Sequence, residues 1–204
     1  QPGSYVYDTG ADPKHDHVLL RLSGGAAITY NDPRRFGYML LMPAAARDQH
    51  ALFNGLGVEP LGPALTADYV RARAAGRKSN LKAFLLDQRI IAGLGNIYVS
   101  EALHRAGLSP ERTAGSLAAR SSLARARTEQ LVTAIRAVLT DAIAAGGSTL
   151  RDYRHADGTS GAFQEAFSAY DRAGKACTTP GCDGVIRRAV HANRATFYCP
   201  KCQR

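Results

Sequence analysis

Apolar and polar positions change their rhythm twice along this chain. Val18-Leu19-Leu20-Arg21-Leu22 is a short β-prone run, Ser23-Gly24-Gly25 is a tight-turn signal, and Ala26-Ala27-Ile28-Thr29-Tyr30 returns as a second strand. A two-stranded hairpin is marginal in water, so these strands require further sheet. Leu40 to Pro63 is rich in Pro and Gly, with one helical patch near Ala44–Phe53, and reads as a linker. From Thr66 the apolar spacing becomes helical. Thr66 is an N-cap candidate and Gly76 a stop, while Leu81, Phe84, Leu85, Ile90 and Ile91 make a second apolar face. Gly93-Leu94-Gly95-Asn96 breaks one helix and opens another, which runs through Ile97, Val99 and Leu103 to Gly107. A long helix lies within Leu117–Ala145. Its core positions are predicted to be Leu131, Ile135, Val138, Leu139 and Ile143, and Gly146-Gly147 ends it. The glycine-rich polar stretch Asp157–Phe163 reads either as a mobile loop over a site or as an ordinary connector. Two final β-prone runs, Gly184–Val190 and Ala195–Tyr198, flank a turn at His191–Arg194.

The cysteines change the picture of that last hairpin. All 4 lie in Cys177-Thr178-Thr179-Pro180-Gly181-Cys182 and Cys199-Pro200-Lys201-Cys202, two close pairs around a hairpin-length insert. This spacing can set four thiolates at the corners of a tetrahedron, the geometry of a closed structural zinc site. Two disulfides are the competing reading, disfavoured because such frameworks usually spread over a whole small domain. Four thiolates leave no open position, so the metal is predicted to shape the fold and not to catalyse. The hairpin is too small to fold on apolar burial alone, and metal binding can supply the deficit, on the order of 10 kcal/mol.

Charge points to a partner. Among 204 residues, 26 Lys and Arg stand against 17 Asp and Glu, a net charge of +9, with a pI near 9.7. Such an excess favours a polyanion, nucleic acid ahead of an anionic membrane. No apolar run is long enough to span a bilayer and no signal segment opens the chain, so a cytoplasmic location is the default. Arg187, Arg188, His191 and Arg194 crowd the cysteine hairpin, either as a phosphate grip or as a solvated cationic face. Asn31-Asp32-Pro33-Arg34-Arg35-Phe36-Gly37 sets two guanidinium groups and a ring on a loop. Arginine pairs bidentately with phosphate or a base edge, and Phe can wedge between bases. The other reading is a loop whose Phe36 docks into the core. Gly93–Asn96 opens a helix whose amides suit an anion, although no strand precedes it and a dinucleotide fingerprint is excluded.

Asp-Pro-Arg-Arg-Phe-Gly, then Gln-Arg-Ile-Ile-Ala-Gly-Leu-Gly-Asn-Ile-Tyr, then a glycine-rich loop and a terminal four-cysteine finger follow one another in this order. The combination, over about Lys14 to Arg204, closely resembles bacterial formamidopyrimidine-DNA glycosylase, the family that removes 8-oxoguanine and ring-opened purines. The resemblance implies a two-domain α+β fold. Residues 1–42 would be the end of an N-terminal β-sandwich and 43–63 a linker. Residues 64–153 would form a helical domain with a helix–two-turn–helix, 154–170 a lesion-capping region and 171–204 a zinc-finger hairpin.

Residue by residue, the resemblance implies that Arg34 faces the cytosine orphaned by the flipped lesion and that Phe36 wedges into the stack. His15 and Arg35 would contact lesion phosphates, Asn96 and Arg194 would clamp the flanking phosphates, and Lys82 would be a further basic contact. Asp157, Gly158, Thr159, Ser160, Gly161 and Phe163 would belong to the loop over the extruded purine, and Cys177, Cys182, Cys199 and Cys202 would hold one structural Zn2+. The implied partner is duplex DNA bearing oxidised purines or abasic sites, bound by a monomer in the bacterial cytoplasm at the nucleoid.

The family's chemistry begins at an N-terminal Pro-Glu-Leu-Pro-Glu, whose proline amine attacks the sugar C1′, releases the base and forms a Schiff base. Strand cleavage by β- and δ-elimination follows. That segment, a catalytic lysine and a gap-filling methionine are not matched here, and Pro2, between Gln1 and Gly3, is no substitute. No catalytic residue is therefore expected in this chain, which reads as lacking roughly the first third of a two-domain enzyme and as inactive as it stands. Competing readings are a damaged-DNA-binding module without catalysis and an endonuclease VIII-type enzyme for oxidised pyrimidines.

Overall fold

The structure, a computed structural model, describes residues 12–37, 39–149 and 160–204. Strands β1 (Asp16–Arg21) and β2 (Ala27–Asn31) form an antiparallel hairpin with Leu20 opposite Ile28 and an irregularity between Asp16 and Val18. Leu19, Leu20, Leu22 and Ile28 are all exposed. A short 3-10 turn over Ala44–Gln49 stands where the helical patch was expected.

Four helices build the main core: α1 (Ala67–Ala74), α2 (Leu81–Leu86), α3 (Asn96–Arg105) and α4 (Ser122–Ala144). Three of them start on side-chain caps. Thr66 Oγ1 accepts from the Tyr69 amide, Asn80 Oδ1 from Ala83 and Ser121 Oγ from Ala124, each satisfying an amide the first turn would leave orphaned. Gly76 follows α1 at φ 70°, and Gly146 and Gly147 follow α4 at 70° and 81°, conformations that spare glycine the Cβ penalty. Leu81, Leu85, Leu103, Leu131, Ile135 and Val138 are fully buried at the centre.

The structure corrects three expectations here. Ile143 is exposed and Ala142 is buried instead. The inward stripe of α4 runs 131, 135, 138, 142, as a 3.6-residue period requires. The break before α3 comes earlier than Gly93: α2 stops at Leu86, and residues 87–95 form consecutive turns. There the Ile90 and Ile91 amides bond Asp87 O at 2.8 and 3.2 Å, and Gln88 Oε1 accepts from Gly93 at 2.7 Å. Ile90 and Ile91 are core residues carried on turns, which apolar periodicity alone assigns to a helix. Residues 57 and 58 are not free linker either. The Gly57 amide bonds Gln88 O at 2.8 Å, and Val58 bridges Ile91. A Cβ on Gly57 would strike the Ile90 backbone.

Strands β3 (Arg187–His191) and β4 (Arg194–Tyr198) form the terminal hairpin, with His191 opposite Arg194. Its two central turn residues, Ala192 and Asn193, have φ of 48° and 57°, the left-handed pair that matches strand twist in a two-residue hairpin turn. Val185, predicted within the first strand, instead bridges Ala176 ahead of it. Ala169, Ile186, Phe197 and Cys199 make a second, smaller core. Edge-to-face rings join it to the first: Phe163–Phe167 at 5.8 Å, Phe167–Tyr170 at 5.4 Å and Tyr170–Phe197 at 5.0 Å.

Candidate nucleic-acid interface and metal centre

Asp32 organises the first candidate loop. Its carboxylate accepts the amides of Arg34 (3.1 Å), Arg35 (2.9 Å) and Gly37 (2.8 Å) and the Tyr30 hydroxyl (3.0 Å). Those bonds, the Gly37 amide first, hold its carboxyl below the usual carboxylate range. The Asp32 amide bonds the carbonyl of His15 at 3.0 Å, which sets His15 beside the loop. Arg35 sits at φ 54°, and a Cβ at Gly37 would strike the Tyr30 hydroxyl. Phe36 is 75% exposed and does not dock into the core. The Arg34 guanidinium lies 4.6 Å over its ring, a cation–π contact that presents both side chains together.

The second candidate group is assembled from residues far apart in sequence. Asn96 is the first residue of α3, with Gly95 as its cap. Its Nδ2 donates to Ala195 O on β4 at 2.9 Å, across 99 positions. Its Oδ1 is buried with no hydrogen-bond partner among the described residues. Asn96 therefore does not cap its own helix; it fastens the hairpin to the turn. A cleft of about 510 Å³ results, lined by Gln88, Leu94, Gly95, Asn96, Ala192 and Arg194. The start of a ten-residue helix, with its unpaired amides, and the exposed guanidinium of Arg194 thus face one concavity.

Two predicted contacts are placed elsewhere. Lys82 is fully buried. Its Nζ donates to Asn96 O at 2.9 Å and Ser100 Oγ at 2.6 Å, so it braces the first turn of α3 from beneath. Burial pushes its ammonium down to about 7, against the opposing charge of Glu101. Phe163 is also buried, 5.9 Å from the Tyr98 ring, and serves the helical core. Its neighbour Gly161 packs on the end of α4, where a Cβ would strike the carbonyls of Gly146 and Gly147. Ser160 is exposed, and Asp157, Gly158 and Thr159 lie outside the described residues.

The four cysteine sulfurs all lie within 4.8 Å of one another. None is disulfide-bonded. Cys177–Cys202 and Cys182–Cys199 each stand at 3.7 Å. A metal–sulfur bond of about 2.3 Å implies a tetrahedral edge of about 3.8 Å, so the cluster has the dimensions of a four-thiolate site. Backbone amides reach two of the sulfurs. The Thr179 amide approaches Cys177 Sγ at 3.5 Å and the Gly184 amide Cys182 Sγ at 3.4 Å, and a Cβ on Gly184 would crowd the sulfurs. Burial acts to raise the Cys177 thiol, but hydrogen bonds from Thr179 and His104 outweigh it and bring it to about 6; burial pushes Cys202 up to about 12.

Two polar residues of α3 were not among the predicted site residues. Glu101, 4% exposed, accepts the amides of Ser168 (2.9 Å), Ala169 (2.9 Å) and Tyr170 (2.7 Å). His104, also buried, reaches Cys177. A charged residue inside an otherwise apolar helical stretch was the available hint for Glu101.

Residues 56–154 match the formamidopyrimidine-DNA glycosylase H2TH domain. The formamidopyrimidine-DNA glycosylase of Azorhizobium caulinodans is 55% identical over 204 residues, all of this chain and 70% of that protein. The crystal structure of MutM (Fpg) from Thermus thermophilus is 41% identical with a TM-score of 0.80, covering 93% of this chain and 68% of that one. The Lactococcus lactis Fpg mutant G226P, solved in complex with Fapy-dG containing DNA, is 29% identical with a TM-score of 0.81, covering 93% and 66%. At 55% identity over the whole of this chain and 70% of the length of that first relative, the chain belongs to the formamidopyrimidine-DNA glycosylase family.

Proposed function

We propose that this protein is a base-excision-repair DNA glycosylase/AP lyase for oxidised purines, and that the described residues grip and read the DNA. None of them is assigned to the bond-breaking step. The observation that carries the reading is the Asn96–Ala195 tie, which brings a helix N-terminus and the Arg194 guanidinium to one cleft. Phosphate contacts of this kind position a duplex without reading its sequence. On the exposed loop, Arg34 and Phe36 are assigned to the orphaned cytosine and the opened stack, with His15 and Arg35 beside them on phosphate. Solved relatives were captured on DNA containing an abasic site and carbocyclic 8-oxo-G, which supports the same substrate class here. We further assign one structural Zn2+ to Cys177, Cys182, Cys199 and Cys202. When bound it supplies no chemistry to the reaction; it holds the hairpin that carries Arg194. DNA as substrate assigns the protein to the bacterial nucleoid, in the cytoplasm.

Fluorescence anisotropy on a duplex with a stable abasic analogue tests this. Binding should be stronger than to intact duplex and fall steeply with salt. Arg194→Ala should lower the salt slope by about 1, and Arg34→Ala should weaken preference for cytosine opposite the lesion more than overall binding. Equal affinity for intact and abasic duplex overturns the reading, and a preference for thymine glycol over 8-oxoguanine overturns the purine assignment.

A further inference from the structure

The metal cluster has a neighbour that belongs to the other half of the molecule. His104, near the end of α3, lies 73 positions before Cys177, yet its Nε2 stands 3.4 Å from Cys177 Sγ. It is 7% exposed. Thr179 Oγ1 completes the arrangement at 3.5 Å from His104 Nε2, 3.4 Å from Cys177 Sγ and 3.6 Å from Cys202 Sγ. One ring and one hydroxyl thus face two of the four sulfurs. An open cleft of about 380 Å³ runs along this side, lined by His104, Thr179, Pro180 and Cys202 among others.

The chemistry of the donor set gives these contacts a direction. A divalent ion held by four thiolates is a site of net charge −2, and a sulfur that has given up its proton can only accept hydrogen bonds. The imidazole must then carry its proton on Nε2, and the threonine hydroxyl must point at sulfur. Such outer contacts draw electron density from the thiolate and fix its orientation, and their loss typically costs 10- to 100-fold in metal affinity.

We propose that His104 is a positioning residue for the structural metal: its Nε2–H donates to the Cys177 thiolate, and Thr179 beside it shields Cys202, the cysteine that borders the open cleft. This rests on the zinc assignment above. It also gives α3 attachments to the finger near both of its ends, Asn96 to Ala195 at the start and His104 to Cys177 one residue from the close. The helix that presents the anion-binding turn is thereby referenced to the metal itself.

His104→Phe, which keeps a ring but removes the donor, and His104→Gln, which keeps an N–H, are compared with the parent chain. Zinc content is measured first: a parent chain that carries no zinc sinks the zinc assignment and leaves this geometry as a separate matter of packing. With zinc present, release to an excess of chromophoric chelator should be about 10-fold faster or more in His104→Phe, with His104→Gln between the two. In the cobalt-substituted proteins, the thiolate-to-cobalt charge-transfer band should move to lower energy in His104→Phe and return toward the parent position in His104→Gln. Parent-like release and an unshifted band in His104→Phe overturn the proposal and leave His104 as a space-filling ring. A cobalt spectrum of three thiolates and one imidazole in the parent chain overturns it too, by making His104 a ligand. Should His104→Phe not fold, Thr179→Val removes the second donor to the same sulfurs without altering α3, and an unshifted band there counts against the arrangement.

Discussion

Lys82 shows how much of this protein's physical chemistry sits in single side chains. Its ammonium is sealed under α3 with two oxygen acceptors and a value brought by burial to about 7. In an unfolded chain a lysine titrates near 10.4. Between these values the unfolded state holds a proton that the folded state has lost, so stability should rise with pH from about 7 to 10 and be lowest below 7. The limiting slope is about 1.4 kcal/mol per pH unit. Lys82→Met should flatten that rise. Urea midpoints of both proteins at several pH values across the window check it, and parallel profiles would show that Lys82 keeps its charge when folded. Asp32 works the other way at the surface: its carboxylate gathers three amides and a hydroxyl and so sets the backbone from which Arg34 and Phe36 project.

At the scale of elements, the ends of helices decide more than their middles. The C-terminus of α4 is closed by Gly146 and Gly147, and residues 161–163 lie back on it, the Ala162 amide bonding Ala145 O at 2.9 Å and Phe163 bonding Gly147 O at 3.0 Å. Gly161→Ala has no room at this crossing, because the obstacles are backbone carbonyls that cannot swing aside. It should cost about 1–3 kcal/mol and loosen Phe163 from the core. Gly24→Ala, with nothing among the described residues within 4 Å of the added carbon, should be close to neutral. Denaturant midpoints of the pair make the comparison, and equal midpoints would count against a close-packed segment at 161. The turn between α2 and α3 follows the same rule. Gln88 bonds Gly93 and Leu94 through its side chain, so a polar residue substitutes for the helical ladder where the chain reverses.

Across the whole molecule, the finger is the part that cannot stand alone. Its core is four residues, Ala169, Ile186, Phe197 and Cys199, far less than an independent domain buries, whereas the helical core is extensive. Stripping the proposed Zn2+, or Cys199→Ser, should therefore leave far-UV helical signal nearly intact while DNA affinity collapses, because the cleft between Asn96 and Arg194 needs the hairpin in place. Circular dichroism and DNA titration on the same stripped sample check this; unchanged affinity would mean that the hairpin holds without its ion. The excess of positive charge, +9 over the chain, acts at this scale as well. It steers DNA inward from a distance but chooses no site.

What the amino-acid sequence determined by itself was local or rhythmic. The cap at Thr66 and the stop at Gly76 act over a few residues, so neighbours in sequence carry the whole physical cause, and the cysteines stand in two close pairs whose spacing is itself the signal. Family membership was readable for a similar reason: Asp32–Gly37, Gln88–Tyr98 and the cysteine pairs are short strings dense in unusual residues. Ala142 continues the 3.6-residue stripe of 131, 135 and 138 while Ile143 lies off it, so the apolar side chain of Ile143 misled where the helical period did not. Tertiary structure decided what no local period encodes. It alone turned Lys82 from a surface cation into an internal brace, and it alone brought Asn96 to Ala195 and His104 to Cys177. A buried polar residue is tolerated only when another element supplies its partner, and that partner lies tens of positions away, beyond the reach of any periodic pattern.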